Sequence, residues 1–150
     1  MTCKRLLSWV TAAFMVVSCT TKQKDTPLVG TWELISATAT EKDSTYSTFD
    51  SNRKMIKLIN ATHFAFLNHA VQPGSDTAAD RFSAGGGKYT LVDSVYTEEL
   101  DYYVDKAWEN NKFKFVININ KDTLIQKGVE KVEKLGIDRV IIEKYRRVVD

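Results

Sequence analysis

In the stretch KFKFVINI, residues 112–119, Phe113, Phe115, Ile117 and Ile119 fall on every second position. Successive strand residues point to opposite faces, so this spacing sends four apolar side chains one way and Lys112 and Lys114 the other. A helix would scatter the same residues around its axis. The stretch is therefore a half-buried strand.

The same beat continues outward in both directions. GTWELISA (30–37) puts Trp32, Leu34 and Ser36 on one face, and the polar TATEKDSTYSTFDSN (38–52) reads as a loop. RKMIKLI (53–59) and THFAFLNH (62–69) are joined by a tight Asn60-Ala61 turn. A second loop, AVQPGSDTAADRFSA (70–84), leads to GGKYTLV (86–92), and Asp93-Ser94 turns the chain into VYTEELDYY (95–103). DKAWENN (105–111) is a short link with a helix-compatible composition. Beyond the opening stretch, Asn120 to Asp122 turn into TLIQK (123–127), and RVIIEKYRR (139–147) comes last. GVEKVEKLG (128–136) is ambiguous: Val129, Val132 and Leu135 recur every third residue, as in a short helix, but its flanking glycines suit the open loop we expect. Eight short strands bounded by Gly, Asn, Asp or Pro, with hairpin links and no long amphipathic helix, predict an all-β fold. The expected architecture is an antiparallel barrel of eight strands, or of up to ten, with a sandwich as the other way to bury such strands.

Residues 1–18, MTCKRLLSWVTAAFMVVS, have the form of a signal peptide. Lys4 and Arg5 make a positive start, and Leu6 to Val17 make an uncharged, mostly apolar run of twelve residues. As a helix the run would rise about 18 Å, too short for a membrane core of roughly 30 Å. Its end, Val16-Val17-Ser18-Cys19, resembles the lipobox of bacterial lipoproteins, whose processed cysteine carries lipid. The resemblance implies lipidation at Cys19, a lipidated tether over 19–28 and a folded domain over 29–150, with the membrane as a partner through the lipid. Lys4 and Arg5 would leave with the signal, so 19 basic residues remain against 19 acidic ones. A neutral domain has no basic surplus to suggest nucleic acid. Cys3 leaves and Cys19 is used, so no disulfide is expected.

VGTWELIS (29–36) is where the strand pattern meets a family. Gly-x-Trp at the head of the first strand resembles the lipocalin signature, and the chain is similar to lipocalin-like lipoproteins of Bacteroidetes. THFAFLNH, AGGGKYTL, YTEELDY and EKYRRV carry the likeness across most of the domain. The resemblance implies a lipocalin-like barrel, monomeric and held in the envelope at the outer membrane on its periplasmic or surface face. It also implies that Trp32 seals the closed end under a last-strand arginine, either Arg146 or Arg147, and that the barrel captures a small hydrophobic or amphipathic molecule.

Alternation supplies the expected lining. Phe64, Phe66 and Asn68, then Tyr89 and Leu91, then Tyr96, Glu98, Leu100 and Tyr102 face inward with Phe113 and Phe115. The expected ligand-binding residues are Trp32, Phe66, Tyr89, Tyr96, Glu98, Tyr102 and Phe115. A buried Glu98 needs a partner, and a tyrosine hydroxyl or a terminal arginine is the expected one. The alternative is a barrel filled by its own aromatics, an interaction module presenting loops 38–52 and 70–84 to an envelope protein.

Chemistry finds little purchase. His63 and His69 lie six residues apart on one strand, about 20 Å at strand rise, too far to share a metal. No nucleophile elbow or spare cysteine is present, and adjacent Glu98 and Glu99 point to opposite faces. SAGGGKYTL (83–91) fails as a phosphate loop: Phe82 holds the first glycine's place, Tyr89 the hydroxyl's, and a strand follows. No catalytic residue, metal or cofactor is expected. Asp43-Ser44-Thr45, Asp76-Thr77-Ala78, Asp93-Ser94-Val95 and Asp122-Thr123-Leu124 resemble the O-glycosylation pattern of Bacteroidetes, although Asp-Ser and Asp-Thr also favour turns on their own.

Overall fold

The computed structural model describes residues 27–71 and 82–149. The expected signal peptide, Cys19, most of the tether and the Asp76 triplet lie outside the described residues. Nine strands carry the rest: β1 Gly30–Glu41, β2 Ser44–Ser47, β3 Arg53–Ile59, β4 His63–Ala70, β5 Phe82–Val92, β6 Val95–Tyr103, β7 Asn111–Asn120, β8 Thr123–Val132 and β9 Ile137–Arg147. From β3 to β9 each strand pairs antiparallel with the next; β1 pairs with β3 on one side and with β9 on the other. Eight strands thus close an all-β barrel, and β2 is an extra strand bonded to β1 alone. Closure satisfies the edges that a sandwich would leave open. Among the described residues no helix is long and apolar enough to cross a membrane.

The alternation of β7 is as expected: Phe113, Phe115 and Ile117 are buried, and Lys112, Lys114 and Val116 are exposed. Two expectations fail, and one open reading is resolved. Part of the 38–52 loop is strand, since β1 runs on to Glu41 and turns at Lys42-Asp43 into β2. All four β2 residues are exposed, so no apolar face marked the segment as a strand. Residues 128–132 are strand as well, paired with β9, and only Glu133–Leu135 form a 3₁₀ turn. Their inward positions are Gly128, Glu130 and Val132, too polar to show the hydrophobic beat. The link before β7 is a run of turns and bends with no helix, pinned by Trp108 N–H donating to the Asp105 carbonyl at 3.1 Å.

Two bulges re-aim side chains. In β1 the register with β9 jumps between Leu34 and Ser36, leaving Ile35 extra. Trp32 and Leu34 therefore face inward, but Ala37 and Ala39 follow them and Ser36 is exposed. In β6 the register with β5 jumps from Leu100 to Tyr102, leaving Asp101 extra. Tyr103 takes the inward place, and Tyr102 is 70% exposed on the outer surface. Opposite this bulge stands Gly87. A Cβ there would lie 1.8 Å from the Glu99 carbonyl oxygen and 2.8 Å from the Asp101 nitrogen. The glycine run is a seat for the bulge.

Trp32 closes one end of the barrel. It is fully buried, its Nε1–H donates to the Leu28 carbonyl at 2.9 Å, and the Arg147 guanidinium lies 4.0 Å from its ring centre. Arg147 also donates to the carbonyls of Val29 and Pro27. Arg146 points outward to Glu33 at 3.1 Å, which settles the choice the sequence left open.

Because the clash at Gly87 is with backbone, Gly87→Ala is expected to cost about 2–3 kcal/mol of stability in urea denaturation. Thr90→Ala, on an exposed position of the same strand, is expected to stay within about 0.5 kcal/mol. Equal effects would mean that the bulge does not depend on the glycine.

Candidate functional site

The barrel interior has two halves. Toward the Trp32 end, Ile59, Phe64, Tyr96, Leu124 and Tyr145 pack into a continuous core. Toward the other end lies a partly enclosed cavity of about 300 Å³. Its walls include Phe66, Leu100, Tyr103, Trp108, Phe113 and Phe115, and its polar lining includes Glu98, Gln126, Glu130, Arg139 and Glu143. The rings form a chain: Phe66 to Tyr103 at 5.5 Å, Tyr103 to Trp108 at 6.2 Å, Trp108 to Phe113 at 6.1 Å and Phe113 to Phe115 at 6.5 Å. Trp108 comes from the turns between β6 and β7, where the Asn111 side-chain amide donates to its carbonyl at 2.8 Å.

A buried polar layer separates the halves. Lys57, on the inward face of β3, is 3% exposed. Its ammonium donates to Glu98 Oε1 at 2.7 Å and to Gln126 Oε1 at 3.2 Å. It also lies over the rings of Tyr145, Phe64 and Tyr96, at 5.3, 5.7 and 6.0 Å from their centres. Gln126 passes the network on, donating from Nε2 to Glu143 Oε2 at 3.3 Å, where the Tyr145 hydroxyl also donates at 2.6 Å. Burial and then the nearby Glu143 charge push the Tyr145 hydroxyl well above its usual pKa, so it remains a donor. The Tyr96 hydroxyl is buried beside Glu98 without reaching hydrogen-bond geometry, and burial, then the Glu98 charge, raises its pKa as well.

A second pair sits nearer the mouth. Arg139 contacts Glu130 Oε2 through Nε at 2.8 Å and through a terminal nitrogen at 2.7 Å. Burial pushes the Glu130 carboxyl above its ordinary value, and Arg139 opposes that shift. Burial works against the Arg139 charge, but Glu130 more than offsets it, with Tyr46 of β2 adding to the effect.

Of the residues expected to bind a ligand, the structure brings Phe66, Glu98 and Phe115 together on the cavity wall. Trp32 seals the far end instead. Tyr96 is fully buried in the core. Tyr89 packs against Tyr96 with tilted rings 5.1 Å apart and donates its hydroxyl to the Asn60 carbonyl at 2.7 Å, at the closed end. Tyr102 is outside, for the reason already given. Glu98 faces in, but its partner is Lys57 rather than a tyrosine or terminal arginine. Glu99 pairs with Lys112 on the outer face at 2.6 Å. Sequence reasoning missed Lys57, Gln126, Glu130, Arg139 and Glu143. Parity held a signal for β9, because an inward Arg147 places Tyr145, Glu143, Ile141 and Arg139 on the same face. Among the described residues, no group of three His, Cys, Asp or Glu side chains could hold a metal ion. The turns Lys42-Asp43, Asp93-Ser94 and Lys121-Asp122 contain three of the four Asp-Ser/Thr triplets' aspartates.

Removing one partner of a buried pair leaves the other charge uncompensated. Lys57→Met is expected to cost about 3–5 kcal/mol in urea denaturation, and the double variant Lys57→Met/Glu98→Leu is expected to recover most of it. A single variant within 1 kcal/mol of the unmodified protein, on the scale of an exposed pair, would show that the layer is not structural.

Glu130 makes a pH prediction. Its folded pKa is raised, so above 4.5, its ordinary value, the unfolded chain loses this proton before the folded one does. The stability linked to Glu130 is complete below that value and declines as pH rises through the folded pKa. Compared with Glu130→Gln, the unmodified protein should therefore lose stability across that window, read from denaturation midpoints at stepped pH. Parallel curves would count against a buried, perturbed carboxyl.

No protein-family model matches the chain, and no curated protein matches it either.

Proposed function

We propose that this chain is a lipid-anchored envelope protein whose barrel, similar to that of a lipocalin, receives a small amphipathic molecule at its open end. The observation that carries the binding half is the cavity of about 300 Å³, walled by aromatic rings and floored by a buried polar layer. Ligand sites commonly span about 300–1,000 Å³ with apolar walls and a few placed polar groups, so this one suits a small ligand. The filled barrel required by the interaction-module alternative describes only the Trp32 half.

A binding role fits better than catalysis. Lys57 is held by Glu98, and Arg139 by Glu130. Groups tied to each other this way orient a ligand but are poorly placed to exchange protons with it. Closure of the ring leaves little unpaired edge, which supports a monomer. The anchor rests on the residues around Cys19: an acyl-bearing cysteine behind a short polar tether holds a neutral domain at a membrane without any spanning helix.

The test has one arm for each half. Cys19→Ser should move the protein from the membrane fraction to the soluble fraction and abolish incorporation of labelled palmitate in the native host. Ser83 lines the cavity, and Ser83→Trp should fill it, lowering affinity for an environment-sensitive hydrophobic dye at least about ten-fold while the fold persists by circular dichroism. Dye binding unchanged by the blocking residue would refute the cavity as the site. An unlipidated, soluble wild type would refute the anchor.

A further inference from the structure

The charges around the cavity do not balance. Glu98 is compensated by Lys57, and Glu130 by Arg139. Glu143 has only neutral partners, the Tyr145 hydroxyl and the Gln126 amide, and both donate to the same oxygen, Oε2. Among the described residues Glu143 makes no ion pair and its Oε1 accepts no hydrogen bond. Arg53 is not part of the lining itself, but it stands behind it, donating from Nε to Asn68 Oδ1 at 3.0 Å and acting on Tyr103 by its charge. Within the lining, Glu98, Glu130 and Glu143 face Arg139, with Lys57 beneath the floor, so of the three carboxylates Glu143 alone has no paired cation.

Both donors on Oε2 are neutral, so neither supplies Glu143 with an opposite charge. A half-buried charge without a counter-ion is costly unless something supplies one. The walls suit a cation as well. Aromatic faces attract cations within about 6 Å of the ring centre, and five rings line this space. The same barrel already holds one ammonium in this way, with Lys57 over Phe64, Tyr96 and Tyr145 and bonded to Glu98.

We propose that the cavity takes a small organic cation, an amine or quaternary ammonium bearing an apolar group, with Glu143 as its counter-ion and the ring wall from Phe66 to Phe115 around its apolar part. This rests on the cavity being a binding site, and it names the chemical class of the ligand. An anionic ligand would face Glu143, the carboxylate without a paired cation. A neutral one would leave Glu143 as it found it.

Three probes of one shape and different charge test it by isothermal titration at pH 7: 2-phenylethylamine, 2-phenylethanol and 3-phenylpropionate. The amine is expected to bind most tightly and the acid most weakly, with about ten-fold or more between them. Glu143→Gln keeps the side-chain shape and an acceptor for Tyr145; it should weaken the amine about ten-fold and leave the alcohol within two-fold. Alcohol binding as tight as the amine, acid binding tighter than either, or amine affinity unchanged by Glu143→Gln would overturn the cation while leaving the cavity in use. Failure of all three probes would overturn the binding reading itself, and the cation with it. If Glu143→Gln does not fold, the order of the three probes on the unmodified protein decides alone.

Discussion

The Lys57 ammonium stands where the solid half of the barrel meets the hollow half, and the interior is organised around it. Burying a bare ammonium costs several kcal/mol, so everything within reach has to compensate it. Glu98 supplies the opposite charge, Gln126 a carbonyl oxygen, and Phe64, Tyr96 and Tyr145 their ring faces. These groups come from β3, β4, β6, β8 and β9, so one cation ties together strands spread around most of the ring. Such a network has to be complete, because a half-satisfied one is worse than none. The layer also sets the limit of the apolar core. Aromatic side chains can fill the space between Lys57 and Trp32, but beyond the layer lie Glu143 and Glu130, which need polar surroundings.

The two ends differ for related reasons. At the closed end, the carbonyls of Pro27, Leu28 and Val29 lie before the first strand and need donors; Trp32 and Arg147 supply them, with the guanidinium 4.0 Å from the indole ring centre. At the open end, β1 leaves β3 after Glu33 and pairs with β2 instead, so the wall parts there. Thr48 lines the cavity from this side, and Tyr46 reaches Arg139. A barrel sealed by backbone contacts at one end and parted at the other is hollow only where it is parted.

Strand existence was readable from the sequence wherever inward positions are apolar. Phe113, Phe115 and Ile117 show why: three large side chains on one face leave no other period to fit. It was unreadable where the inward positions are polar or lack a side chain, or where the strand has no inside. Gly128 and Glu130 broke the beat of β8, and the exposed β2 never had one. The bulges were a separate kind of blindness. A single extra residue, Ile35 or Asp101, reverses the parity of everything beyond it. Tyr102 was misplaced on these grounds alone, although its neighbours Glu98 and Leu100 were read correctly.

The candidate site followed the same rule. Phe66, Glu98 and Phe115 could be found because they precede any bulge on their own strands, so alternation still held. The partner of Glu98 could not be found, since Lys57 is 41 residues away and its strand offers two equally apolar faces, Met55 with Ile59 and Ile56 with Leu58. Only closure of the ring brings the two together. The glycines of SAGGGKYTL explain how the wall can be built at all. A Cβ on Gly85 would lie 2.5 Å from the Phe66 ring, and one on Gly87 would strike the bulge that turns Tyr103 inward. The missing side chains therefore give room to two aromatics of the cavity wall, which meet at 5.5 Å. A run that offers nothing to a phosphate shapes the cavity by leaving space for its neighbours.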